Sequence, residues 1–239
     1  MNAITLIAII ALAALIHASF QLGVSMLTLL SGHALGTKAR HRKVMNLMSS
    51  FTLGAMVMTA LLLSTVAYLA FAFYGTFPSP LAWAIACGIM GGIGVAVWIF
   101  YYRSSTGTAL WIPRPLAHML HYRIKSTEYA AEAFSLGLTG VLAEIVFIIA
   151  PLLAAGFSLV QLPHYLQPVG MIMYVLIATT PLLVITTLIG GGHRISRIQK
   201  WRENNKRFMQ VAAGSALFVL GFFIYVNAVL APMWLQGAL

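Results

Sequence analysis

Charged side chains are scarce in this chain. They make up 8% of its 239 residues, aspartate is absent altogether, and glutamate occurs only at positions 128, 132, 144 and 203. Soluble globular domains carry about a quarter charged residues. With 61% hydrophobic residues and a mean hydropathy of +0.92, the composition excludes that class and points to an all-α, polytopic integral membrane protein. Cysteine is nearly absent as well. The single Cys87 can form no internal disulfide, and a dithiol relay needs a second thiol. No P-loop, dinucleotide fingerprint, HExxH or CxxC motif is present, so no cofactor is expected. An enzymatic role is not expected either, for want of a nucleophile pair or a metal cluster.

What is there is long apolar runs. Six of them are about 20 residues or longer, as a bilayer span requires, over 4 to 30, 45 to 73, 80 to 102, 131 to 156, 167 to 190 and 208 to 232. The first could pass for a signal peptide, but it lacks a basic leading segment and stays apolar to Leu30; it reads as a retained span.

The 14 Lys and Arg residues fall on alternate connections only, four between spans one and two, four between three and four, and six between five and six. A net charge of +10 placed this way suits a membrane surface and gives no reason to expect nucleic acid. The positive-inside rule puts the three basic loops in the cytoplasm and both termini outside, with the bacterial inner membrane as the expected location. Aromatic residues follow suit, with Phe73, Tyr74, Trp83 and Trp234 near the outer ends and Trp98, Tyr101, Tyr102 and Trp201 near the inner ends.

Three spans and three spans with an external N-terminus make the two halves antiparallel, so the expected architecture is a 3+3 inverted-topology repeat. The first half covers 1–102, a cytoplasmic connector 103–130, and the second half 131–239. A trace of internal repetition lies in Phe20-Gln21-Leu22-Gly23 against Phe134-Ser135-Leu136-Gly137, and the same F-x-L-G pattern recurs at Phe51 to Gly54 and Phe218 to Gly221. In the connector, Leu116, Met119, Leu120 and Ile124 share one helical face, which after Pro115 predicts an amphipathic surface helix. Ala84, Gly88, Gly92 and Ala96, every fourth residue of the third span, predict a close-packing face.

Two ionisable groups stand out. His17 is near the midpoint of the first run and Glu144 near the midpoint of the fourth, the depth at which inverted-repeat transporters hold their sites. A charged group there costs roughly 2.5 to 3.5 kcal/mol on insertion scales, so it faces a partner or a water-filled cavity. On one continuous helix His17, Gln21 and Ser25 form a polar stripe at four-residue spacing. Gly137 and Gly140 precede Glu144 on its side of the helix and leave room for a cavity. The alternatives are a neutral imidazole bonded to a neighbouring helix and a protonated, structural carboxyl. Pro151 and Pro181 are expected to break their helices and free the carbonyls of Phe147 and Ile177, with Thr179 and Thr180 able to satisfy them locally. His118 and His121 read as part of a basic surface, and Glu128 and Glu132 as helix N-terminal charges.

The size, the six spans in two inverted halves, the glycines Gly23 and Gly137 in spans one and four, and the basic loop leading to Gly221 resemble the lysine-exporter superfamily, which includes the cytochrome c biogenesis transmembrane family. The chain lacks the paired Pro-Cys motifs of the thiol-relay branch and the aspartates of many metal-exporting branches. The resemblance therefore implies a fold and transport, with no particular substrate. The expected function is export or transport of a small solute or cation, with Glu144 as the proton or cation site, His17 as its partner, and Gln21, Ser25 and Thr139 lining the path. The competing expectation is a non-transporting subunit that holds lipid, a second copy of itself or a partner membrane protein.

Overall fold

A computed structural model of the chain describes residues 1–20, 22–36, 41–100, 119, 122–191 and 195–231, and among them every regular element is helical. In chain order α1 is Ala3–Ser19, α2 Leu22–Gly36, α3 His41–Tyr74 and α4 Pro80–Phe100. They are followed by α5 Ala130–Ala143, α6 Ile145–Gln161, α7 Gln167–Gly190 and α8 Ile195–Ile224, the last continuing into a π-helical turn, Tyr225–Leu230. Helices are what an apolar chain must form in lipid, because each backbone N–H and C=O then finds its partner within the segment. At the N-terminus Asn2 caps α1, its side-chain oxygen accepting the Thr5 N–H at 2.8 Å.

Among the described residues four helices are long and apolar enough to cross a membrane: α3, α4, α7 and the stretch Glu203–Leu230. Two bent pairs raise the number to six if each counts as one span, α1 with α2 at 45° and α5 with α6 at 79°. The first and fourth apolar runs are thus each broken, where one continuous helix was expected. At the first break Phe20 is extended (φ −78°, ψ 139°) and gives its N–H to the His17 carbonyl. At the second, Glu144 (φ −89°, ψ −2°) gives its N–H to the Val141 carbonyl at 3.1 Å and takes those of Phe147 and Ile148 on its own carbonyl. The first of these is an i to i−3 bond, which tightens the end of α5, and the others start α6 in a new direction.

The prolines do not do what their positions suggest. Helix α6 runs through Pro151 and α7 through Pro181. One missing N–H removes a single bond, and the flanking turns carry the helix across; Thr179 and Thr180 return their hydroxyls to the Val175 and Leu176 carbonyls, both at 2.8 Å. The polar stripe His17, Gln21, Ser25 also fails as a single helical face, because α1 ends at Ser19. Of the expected surface helix, only Met119 and residues 122–126 are described; Leu116, His118 and His121 lie outside the described residues.

Two glycine crossings hold the bundle together. The backbone of α3 lies so close to α5 that a Cβ on Gly54 would meet the Phe134 carbonyl and one on Gly137 the Phe51 carbonyl. Two of the four F-x-L-G segments are therefore a reciprocal contact, each glycine seating the phenylalanine carbonyl of the other. Helices α4 and α8 cross the same way, Gly94 against the Gly214 carbonyl and Gly214 against that of Gly94. Gln210 on α8 adds two hydrogen bonds at 2.8 Å to the Val97 and Trp98 carbonyls near the end of α4. The packing face of α4 is thus Ala86, Met90, Gly94 and Val97, all buried. The expected stripe lies elsewhere: a Cβ on Gly88 or Gly92 meets nothing within 4 Å. Small size permits a close approach without choosing which face receives one.

Candidate functional site

Helix ends need partners. The first N–H groups of any helix have no acceptor within it, and at the α2 N-terminus the acceptor comes from 121 residues further along the chain: the Gly23 N–H donates to Glu144 Oε1 at 2.9 Å. The side chain that sits on the α5/α6 break thereby caps the helix that begins at the α1/α2 break. The positive end of a helix dipole favours a carboxylate, and Glu144 is 6% exposed, where a charge without such a partner costs several kcal/mol. Phe20 and Phe147, one beside each break, have ring centroids 5.8 Å apart.

His17 occupies the last turn of α1 and is 5% exposed. Its Nδ1 is 3.0 Å from the hydroxyl of Tyr174 on α7, itself fully buried, with ring centroids 5.8 Å apart. The imidazole tautomer decides which of the two donates.

His17 and Glu144 line one cavity of about 30 Å³, together with Gly23, Thr59, Gly140 and Thr179. Such a space holds about one or two waters and no solute of amino-acid size. Gly140 stands at its wall, as expected; Gly137 reaches it too, but its main contact is the Phe51 carbonyl of α3.

Thr59 is the residue that the sequence reading missed. It is 1% exposed, and its hydroxyl has no hydrogen-bond partner among the described residues. Leaving a buried hydroxyl unpaired costs about 1 to 3 kcal/mol. A signal was there: 59 is the midpoint of the run from 45 to 73, as 17, 144 and 179 are near the midpoints of theirs.

The other candidates fall outside this group. Thr139 returns its hydroxyl to the Ser135 and Leu136 carbonyls on its own helix, both at 3.1 Å, and does not line the cavity. Ser25 is half-buried on α2 and does not line it either. Gln21 lies outside the described residues. Pro181 is at the cavity wall, whereas Pro151 is not. Glu132 caps the start of α5, its Oε2 accepting the Glu128 and Tyr129 N–H groups at 2.7 and 3.1 Å. Among the described residues no three His, Cys, Asp or Glu side chains are grouped as a metal site.

The fold and its polar centre define an all-helical chain with membrane-length apolar helices and a small buried cavity between two broken ones. No protein family, curated protein or solved structure matches it.

Proposed function

We propose that the protein is a multi-pass membrane transporter of a small solute or cation, with the Glu144 cavity as its coupling site. One observation carries the reading: two interrupted helices from distant parts of the chain meet through the Gly23 N–H and the Glu144 carboxylate. Transporters place ion and substrate sites where discontinuous helices expose helix ends to a cavity. A carboxylate there can take up and release a proton or a cation, and His17, held by Tyr174, lines the same cavity. Any solute larger than a water or two requires the cavity to widen, and the breaks at Glu144 and between Ser19 and Leu22 are the places where a helix can swing without losing further backbone bonds.

The 3+3 inverted repeat belongs to the same reading. In its favour, the leading helix of each half is the broken one. The corresponding second and third helices also pair across the halves, α3 with α7 through the Thr52 and Thr186 hydroxyls at 3.2 Å and α4 with α8 through Gly94 and Gly214. A two-fold axis relating the halves would bring those pairs together. The charge distribution supports cytoplasmic basic loops and external termini in a bacterial inner membrane.

The test is proton movement in liposomes containing the purified protein and an internal pH dye, with Na⁺, K⁺ and individual amino acids presented outside. The wild type moves protons in response to at least one of them and Glu144→Gln to none. Equal proton movement by Glu144→Gln, or none by the wild type with any probe, removes the reading. The second reading, a non-transporting subunit, is favoured by the uncovered Gly88 and Gly92 on α4; a stoichiometric partner co-purifying with an inactive wild type would establish it.

A further inference from the structure

The cavity's chemistry narrows what it takes. Thr28, Thr52, Thr65, Thr139 and Thr179 each give their hydroxyl to a carbonyl of their own helix, the usual resort of threonine in an apolar helix. Thr59 does not, although α3 offers it the same carbonyls one turn back. Thr59 is instead one of the residues lining a space that Glu144 also lines.

We infer that this cavity is a binding site for one desolvated sodium ion, coordinated by Thr59 Oγ1 and the Glu144 carboxylate. The inference rests on the transporter reading and names the cation that exchanges with the proton at Glu144. Three observations support it. The volume of about 30 Å³ admits a single water-sized particle or little more, so in this conformation it has no room for an organic solute. The negative group is a single carboxylate, and no cluster of three acidic or imidazole side chains exists among the described residues. Calcium sites take six to eight oxygens with several carboxylates among them, and magnesium keeps most of its water, so a singly charged ion fits the charge and the space. Ser158 on α6 also has a buried hydroxyl without a partner among the described residues, but only Thr59 is among the residues lining this space, where a metal cation would need neutral oxygens beside the carboxylate. Thr179, whose hydroxyl donates to Val175 and keeps lone pairs as an acceptor, is also among the lining residues.

The test uses the purified full-length protein in detergent and radioactive sodium, with lithium, potassium and choline as competitors. The wild type binds sodium saturably at one per chain, displaced by lithium better than by potassium and not by choline. Thr59→Val removes the oxygen at nearly constant volume and weakens sodium binding at least tenfold, Thr59→Ser keeps it within about threefold of wild type, and Glu144→Gln abolishes it. Melting temperatures in choline chloride establish that Thr59→Val is folded. Absence of saturable sodium binding by the wild type overturns the inference, as does a Thr59→Val protein that binds like wild type, the result expected if only water fills the space. If sodium does not bind while the liposomes still move protons through Glu144, the inference fails and the transporter reading stands.

Discussion

Helices α4 and α8 meet by means opposite to those that join the broken pairs α1/α2 and α5/α6. Where α4 meets α8 both helices are continuous, so their backbone groups stay satisfied within them, and the approach depends only on the missing side chains of Gly94 and Gly214. Where the broken pairs meet, backbone groups are released and a side chain must replace the lost partner, as Glu144 does for Gly23. The first contact is shape; the second is chemistry, and only the second leaves a polar space between its parts. That difference orders the expected effects of substitution.

The largest belongs to the glycine crossings. Gly137→Ala or Gly214→Ala sets a methyl group against the Phe51 backbone or the Trp98 ring, and overpacking of this kind costs about 1 to 3 kcal/mol or more. Thermal unfolding in detergent should show a large drop for both, whereas Gly88→Ala, with open space around it, should be neutral or stabilising by up to about 1 kcal/mol. Next comes the cap. Glu144→Ala leaves the Gly23 N–H without its acceptor, worth about 1 to 2 kcal/mol, while Glu144→Gln retains an oxygen and should unfold closer to wild type although it no longer couples. Equal destabilisation by the two variants would mean that charge, and not the hydrogen bond, holds the break together. The smallest effect is expected at Thr139: its hydroxyl bonds only to its own helix, so Thr139→Val should leave transport unchanged and stability within about 0.5 kcal/mol.

Much of the fold was legible because bilayer thickness imposes itself on the sequence as run length. The runs from 45 to 73, 80 to 102 and 167 to 190 correspond to α3, α4 and α7 within a few residues. The break at Glu144 was not legible, since neither glycine nor proline stands there and the partner of its side chain is 121 residues away. Pro151 and Pro181 carried a local signal that the surrounding turns override. His17 and Glu144 drew attention by being ionisable in an apolar run, and both line the same cavity. Thr59 escaped because a threonine in a membrane helix is ordinary until its hydroxyl is seen to lack a partner. Ser25 was chosen by four-residue spacing along a helix assumed unbroken, and a bend of 45° interrupts that spacing.

The central claim is the contact between the two breaks, and magic-angle-spinning NMR in lipid measures it directly. Protein labelled with ¹⁵N-glycine and with ¹³C at the glutamate carboxyl carbon should show dipolar dephasing of the Gly23 amide nitrogen, reporting a carboxylate at hydrogen-bond range, the 2.9 Å N···O contact. In Glu144→Gln protein labelled identically the dephasing should vanish. A Gly23 nitrogen that shows no carboxylate nearby in the wild type, or one whose dephasing survives Glu144→Gln, would contradict the account.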